Sequence, residues 1–558
     1  MIVYINTMFT EKNVVSAVTR ILELPNVIGA KFTRNNYYEM FQLSHLKGGK
    51  LNLLNGPDET LLCGLIMGAD GGIGSTYNIM PDIYKKIYIA YLQSNIEEAQ
   101  RWQFWADAVI GILLKFGQIQ SMKYLFCRKG IDIGKAEKPG AELSQAEGKA
   151  LMKELKIIGY FHEYPELSNE EEKTIAFLES YLKGLGLETV NVPDGGLLAI
   201  LDSGKKGRTL LMRSDTDALP IKESEKNLQE PKACISKIPG VSHACGHDGH
   251  MAMTLTAARI LAAHKDEFVG KIVFCFERGE ETSGDIRNLL PYIVHDLKLS
   301  IDGCYATHVR WDMAAGTVSL CPGPVMSGGC AFVVELSGQF GHGARPDLAR
   351  SPIDCFHAIY SELSSFRMRR VDPFECLTIS LGFVHSGDQY NVIPGTLTFG
   401  GTARFFSYEK AGSLFETYLK KTLDHLTALY QCSYKITHMP KALYEVRNNE
   451  TCAALGRKAL VRDLGKDAVV DAAPWMASES FALFQKLYPG VLSFTGIQNT
   501  DLGCGANHHT PEFDMDERGL MMGSAMAVSY ALAFLAYEGD IPFKKTDEPV
   551  EELVERNI

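Results

Sequence analysis

"SHACGHDGH" (residues 242–250) places three histidines and one cysteine in nine positions. Cys245 and His247 are two residues apart, so on an extended or turning backbone their side chains project to one side. Thiolate and imidazole are typical transition-metal donors. The stretch alone admits a second reading, since His243, His247 and His250 have helical spacing and would line one helix face with Cys245 in a core. A metal site therefore requires donors from elsewhere in the chain. "ERGEETSG" sets Glu280 and Glu281 directly after an apolar run, and adjacent carboxylates allow one to bind metal while the other takes a proton from water. "YATHVRWD" sets His308 after another apolar run, "ANHHTPEFDMDE" supplies His508 and His509, and "RSDTDALP" supplies Asp215 and Asp217.

The rest of the composition is that of an ordinary globular enzyme. A chain of 558 residues is too long for one core and implies two to four domains. With 67 acidic against 56 basic residues it is mildly acidic, which argues against a nucleic-acid or anionic-membrane partner. "MIVYINTMFTEKN" does not read as a basic region followed by a long apolar one, and no apolar run approaches the roughly 20 residues that span a bilayer. A cytoplasmic location is expected. Thirteen cysteines without regular spacing fit reduced thiols better than a disulfide framework.

Along the chain, "GLIMGADGGIGSTYNIMP" (64–81) reads as a strand ending in a glycine turn and then a helix, and residues 82–127 read as helices. The polar stretch "KAEKPGAELSQAEGKA" (135–150) is the best linker candidate. Beyond it, short apolar strands alternate with helices. "RTLLMRSD" (208–215) and "KIVFCFE" (271–277) are the nearly continuous apolar runs expected of strands buried on both faces of a parallel sheet. Both end in carboxylates, and open α/β sheets bind ligands beyond the carboxyl ends of their strands. No internal repeat or low-complexity tract is present in the sequence.

From about 157 to 540 the motifs "FHEYPELSNEEEKT", "RSDTDALPI", "HACGHDGH", "GEE", "THV", "GHGARP", "NVIPGTLTFGGTAR" and "HHTPEFDMDE" occur in an order that resembles the aminoacylase-type metallopeptidases. The resemblance is to the amidohydrolase branch that holds hippurate hydrolases, N-acyl-amino-acid amidohydrolases and plant indole-acetyl-amino-acid hydrolases. It implies a centre of two divalent metal ions (Mn, Zn or Co) ligated by Cys245, His247, Glu281, His308 and His509, with Glu280 as general base and Asp217 behind the centre. His509 is preferred to His508 because the family histidine lies two residues before the proline, here Pro511. Asp215 stands where related branches carry a histidine ligand, and no role is assigned to it. An inserted α+β dimerisation or lid domain is implied at 325–438, carrying His342 as a donor to the oxyanion and Asn391 and Arg404 as substrate contacts, with Arg404 suited to an amino-acid carboxylate. Two departures stand out: "ERGEE" replaces a "QPAEE"-like stretch, and Ser480 in "ASESFALF" replaces a common aspartate. Both bear on substrate identity more than on catalysis.

Residues 1–140 carry a different resemblance, in "IVYINTMF", "NVIGAKFTRNNYYEM", "NGPDETLLCGLIMGADGGIGSTYNIMP" and "GIDIG", to the second half of N-acetylneuraminate lyase. It implies a Schiff-base lysine at Lys31, a proton-shuttling tyrosine at Tyr4, and sugar contacts at Gly56, Asp58, Glu59 and Ser75. Such a (β/α)8 barrel needs about 250 residues to close. With its first half missing, the stretch reads as a vestigial lyase site, and three origins stay open: a degenerate fusion, a subunit completed by a partner, or a joining of neighbouring reading frames.

The sequence thus predicts an α/β protein. A partial barrel fills 1–145, an α/β metallopeptidase catalytic domain fills 155–324 and 439–545, and the insert fills 325–438. The expected activity is hydrolysis of small-molecule N-acyl amino acids to a carboxylic acid and a free amino acid by a homodimer. The competing readings are a sialic-acid aldolase subunit using Lys31 and a catalytically dead binding protein on a hydrolase scaffold.

Overall fold

The two apolar runs that end in carboxylates are neighbouring parallel strands. In this computed structural model, which describes residues 2–6, 14–24, 26–49, 51–128, 131, 157–232, 234–282 and 284–557, β7 (Thr209–Asp215) is buried at every position and β8 (Lys271–Glu277) at every position after the first. Their register sets Asp215 opposite Glu277. With β9 (Gly303–Ala314) and β20 (Gly490–Gln498) they form the parallel centre of a seven-stranded sheet, order β10-β20-β9-β7-β8-β6-β5. The flanking strands β5 (Glu188–Val192), β6 (Gly196–Asp202) and β10 (Val318–Ser319) run antiparallel to their neighbours. Leu211, Val273, Cys275 and Leu492 pack with Ile286, Leu289, Phe481 and Phe484. Burying this many branched and aromatic side chains, each contributing roughly 1.5–3 kcal/mol, stabilises the sheet and aims its strand ends at one site.

Helices His247–Ala263 and Arg518–Leu535 pack on β7, β9 and β20. The second is long and apolar enough to cross a membrane, but 61% of its apolar window is buried against protein. The first starts only after Gly246, whose φ of +92° is a left-handed conformation that favours glycine. A Cβ at Gly246 would lie 2.4 Å from Cγ2 of Val309. His243 therefore precedes the helix, and the reading of His243, His247 and His250 as one helix face is corrected: the chain turns between them so that Cys245 and His247 can converge.

Residues 328–438 form a second sheet of antiparallel pairs, order β14-β16-β12-β17, from β12 (Gly328–Ser337), β14 (Leu377–His385), β16 (Thr396–Phe405) and β17 (Ser433–His438). Helices Pro352–Arg370 and Ser413–Leu429 cover it around Phe332, Phe366, Phe399, Phe405 and Phe415. The chain enters along β11 (Gly323–Met326) and returns along β19 (Val446–Asn448), which pair with each other. Two further ribbons join β13 (Gly341–His342) to β15 (Val392–Ile393) and β18 (Lys441–Ala442) to β21 (Arg556–Asn557).

Residues 1–157 are a separate compact unit from 158–558. Its strands β1 (Ile2–Asn6), β2 (Gly29–Thr33), β3 (Asn52–Asn55) and β4 (Gly71–Gly72) form a parallel sheet in chain order. Ala30, Phe32 and Leu53 pack against Val14, Val18, Met40 and Leu43, while the alternate residues Lys31, Thr33 and Leu54 are only partly buried. Among the described residues the sheet has four strands, half the number of an eight-stranded barrel. The expected strand within 64–81 is reduced to Gly71–Gly72. The apolar residues before it belong to helix Leu61–Ile66, where Leu61, Leu62 and Leu65 bury one helical face. The linker at 135–150 and the side chain of Tyr4 lie outside the described residues, although the backbone register sets Tyr4 opposite Lys31.

Each unit has its own apolar clusters. A chain comprising 158–558 is expected to fold without 1–157 and to melt cooperatively, checked by circular dichroism and calorimetry. A near-ultraviolet spectrum without tertiary signal or a transition without cooperativity would contradict this.

Candidate metal centre

Four elements meet beyond the carboxyl ends of the parallel strands. The turn before helix His247–Ala263 supplies Cys245, and the first residue of that helix is His247. A short 3-10 turn after β8 supplies Glu280 and Glu281, β9 supplies His308, and the loop after β20 supplies His509. Their ligand atoms fall into overlapping groups, each within 4.8 Å: Cys245, His247 and His308; Cys245, Glu281 and His509; and His247, Glu280 and Glu281.

Hydrogen bonds decide which ring nitrogens are free. Nδ1 of His247 lies 3.1 Å from Oδ1 of Asp217 and donates to it, so in the neutral ring Nε2 carries the lone pair. Asp217 is held in turn by the Ser168 hydroxyl at 2.7 Å and the Glu281 amide at 3.0 Å. His308 donates Nδ1–H to the carbonyl of Val309 at 2.6 Å and turns Nε2 to within 3.7 Å of Cys245 Sγ. His250 is different, because its Nε2 accepts the amide of Val309 at 2.9 Å and its Nδ1 must donate to Asp215 at 2.6 Å. Both nitrogens are used, which removes His250 from the donor set. Asp215 is also spent, with Oδ1 on His250 and Oδ2 on Arg213 at 2.9 Å.

Buried polar atoms are normally paired, yet His247 Nε2 and Glu281 Oε1 are buried without a hydrogen-bond partner and face each other at 3.8 Å. His509 Nε2 approaches the same Glu281 oxygen at 3.2 Å. His509 holds a left-handed φ of 61°, a conformation that costs a non-glycine residue energy and clusters at functional sites. Burial pushes the Cys245 thiol well above its ordinary range, so the thiolate forms here only against a cation. Orphaned nitrogen and carboxylate oxygen beside a buried thiol fit a divalent transition ion.

Carboxylates crowd this end of the sheet. Burial, then Glu479 and Glu281, hold Glu280 well above the usual carboxylate range, and the Ser480 amide donates to its Oε1 at 3.0 Å. Glu277 is pushed up to about 7 by burial, which Arg213 opposes. The fully buried guanidinium of Arg213 meets Glu277, Asp215 and Glu479. His508 is sealed between His308, Trp475 and Phe513, and burial pushes it down to about 3.

The residues on the second sheet are placed differently. Arg404 is largely buried at the end of β16, bonded to the Ser478 hydroxyl, with no carboxylate within 4.0 Å among the described residues. His342 and Asn391 are exposed and adjacent: Nδ1 of His342 accepts the Ala344 amide at 3.0 Å, and the carbonyl of Asn391 accepts the Gly343 amide at 2.9 Å. In the N-terminal unit, Asp58 is buried and accepts from the Thr76 amide at 2.8 Å and the Thr76 hydroxyl at 2.6 Å, with Ser75 at 3.3 Å. Gly56 is buried, Glu59 and Ser75 are exposed, and Lys31 is partly buried.

Sequence reasoning passed over Arg213, Glu479 and His250 as site residues, and met Glu277 only as the carboxylate that ends an apolar run and opens the "ERGEE" departure. A signal existed for Arg213: an arginine inside an otherwise apolar strand requires buried anions. It also passed over His162, which bridges Asp248 at 2.8 Å and Glu223 at 3.0 Å and so ties helix Ile157–Glu163 to the first turn of the His247 helix.

The family model for peptidase family M20/M25/M40 matches residues 211–533, and that for the dihydrodipicolinate synthetase family matches 1–158. An IAA-amino acid hydrolase (ILR1-like 5) of Arabidopsis thaliana is 30% identical over 69% of this chain and 87% of its own. An N-acetyl-L-cysteine deacetylase of Bacillus subtilis is 32% identical over 66% of this chain and 86% of its own. The crystal structure of the Bacillus subtilis YXEP protein, described as a dinuclear metal-binding M20 peptidase, superposes with a TM-score of 0.58 at 26% identity, covering 69% of this chain and 98% of that one.

Asp217→Asn removes the charge that orients and enriches His247. Its affinity for Mn²⁺ or Zn²⁺, read by calorimetric titration, is expected to fall about 10–100-fold. Unchanged affinity would contradict the ligand role of His247.

Proposed function

From the premise that the chain belongs to peptidase family M20/M25/M40, we propose that it is a metal-dependent amidohydrolase cleaving N-acyl amino acids to a carboxylic acid and a free amino acid. The reading rests on the partnerless, buried His247 Nε2 and Glu281 Oε1 facing each other beside Cys245, His308 and His509. Cys245, His247, Glu281, His308 and His509 would hold two divalent ions, Mn, Zn or Co, which when bound would supply Lewis acidity at the site. Glu280, with Oε1 pinned by the Ser480 amide, takes the water proton on its other oxygen and returns it to the leaving amine. Arg404, a largely buried cation with no carboxylate within 4.0 Å among the described residues, receives the substrate carboxylate.

The second sheet is the proposed dimerisation and lid element. Its ribbon β13–β15 carries His342 and Asn391 beside exposed Phe340 and Tyr390, the latter fully exposed. We assign this ribbon to a neighbouring subunit's site, where His342 Nε2–H would face the tetrahedral oxyanion and Asn391 the substrate. The N-terminal unit is not assigned an aldolase reaction, because four strands do not make the barrel that would hold a substrate against Lys31.

Chelation should abolish hydrolysis of N-acetyl or N-benzoyl amino acids, with Mn²⁺, Zn²⁺ or Co²⁺ restoring it. Glu280→Gln should keep bound metal by elemental analysis while kcat falls about 10²–10⁴-fold. Full activity in Glu280→Gln would remove the base role. Sedimentation should show a dimer, and His342→Ala should lower kcat with the dimer intact. An unchanged kcat in a dimeric His342→Ala would overturn the oxyanion role. Borohydride should trap no pyruvate on Lys31, and the purified chain should not cleave N-acetylneuraminate. Trapping together with cleavage would restore the aldolase reading.

A further inference from the structure

One residue of the loop before helix Phe481–Leu487 touches both the buried charge cluster and the base. The Ser480 hydroxyl accepts from Nη2 of Arg213 at 2.9 Å and donates to Oε1 of Glu277 at 2.8 Å, nearer than Oε1 of Glu479 at 3.3 Å. Its amide donates to Oε1 of Glu280 at 3.0 Å. Glu277 closes the ring through Oε2, 2.6 Å from Nε of Arg213. Arg213, Glu277, Glu479 and Ser480 are almost completely buried, so charge placement here is not screened by water.

We propose that Glu277 and Ser480 are a matched pair of positioning residues. The Glu277 carboxylate locks the Ser480 hydroxyl to Arg213, and the Ser480 amide thereby fixes which oxygen of Glu280 is free to move the proton. This rests on the base role proposed for Glu280. The ring tolerates one carboxylate at 277 or at 480, but not at both. A carboxylate at each would stand within hydrogen-bond distance of the other, already beside Glu479, with the one guanidinium of Arg213 shared among them. With the charge moved rather than added, the ring closes again: an aspartate at 480 accepts from Arg213 and from a glutamine amide at 277.

The test is a double-mutant cycle on the full-length, metal-loaded protein, with Glu277→Gln, Ser480→Asp and the combination. Steady-state hydrolysis of an N-acyl amino acid cleaved by the wild type, thermal melting and bound metal are measured. Ser480→Asp should lose about tenfold or more in kcat with KM changed by less than about twofold, and should melt lower. Glu277→Gln alone should lose less. The double variant should recover most of both kcat and melting temperature although it carries two changes. Additive losses, a double variant no better than Ser480→Asp, or a loss confined to KM would overturn the pairing. A wild-type protein that cleaves no amide would instead defeat the base reading, while the melting cycle would still decide whether Glu277 and Ser480 are coupled.

Discussion

Uncompensated buried charge is the constraint on which this site depends. Strands β7 and β8 and the loops that follow them bring Asp215, Asp217, Glu277, Glu280 and Glu281 to one end of a sheet whose interior is apolar, and Glu479 joins them. Ionised carboxylates without partners in such surroundings would cost several kcal/mol each. Arg213 answers Asp215, Glu277 and Glu479 through three nitrogens. Nδ1–H groups answer Asp217 and Asp215. Among the described residues Glu281 has no lysine or arginine within 4.0 Å; it faces the thiol of Cys245 and the imidazoles of His247 and His509, a donor set that a metal ion would join.

The same hydrogen bonds divide four buried histidines into two kinds. His247 and His308 spend Nδ1 on Asp217 and on a backbone carbonyl and present Nε2 to the site. His250 spends both nitrogens on structure, and His508 is enclosed by aromatic rings. Backbone groups therefore select the ligands: the Val309 carbonyl frees one histidine for coordination, and the Val309 amide withdraws another. Both groups sit on β9, so the parallel sheet fixes donor identity as well as position.

This explains what could be read from the sequence. Strands β7 and β8 were legible because strands buried on both faces of a parallel sheet leave continuous apolar runs, and the donors were legible because Cys, His and adjacent Glu are chemically distinctive in the motifs that carry them. The tautomers were not, since they depend on partners the fold supplies: Asp217, 30 residues before His247, the Val309 carbonyl for His308, and the Val309 amide, 59 residues after His250. Nor was the Arg213 ring, whose members lie on β7, at the end of β8 and in a loop more than 200 residues later. The helix face suggested by His243, His247 and His250 failed at a single glycine, Gly246, whose left-handed φ the spacing does not reveal. In the N-terminal unit, apolar Leu61, Leu62 and Leu65 follow helical periodicity, and glycine-rich neighbours leave a strand of two residues where a longer one was expected.

The most direct test of the account is the anomalous scattering of crystals of the full chain grown with Mn²⁺ or Zn²⁺. Two ions per chain are predicted, held among Cys245, His247, Glu281, His308 and His509, with His250 still bonded to Asp215 and Glu280 still on the Ser480 amide. Ions ligated by His250 or His508, or a saturated crystal with no ion touching His247 Nε2 and Glu281, would contradict it.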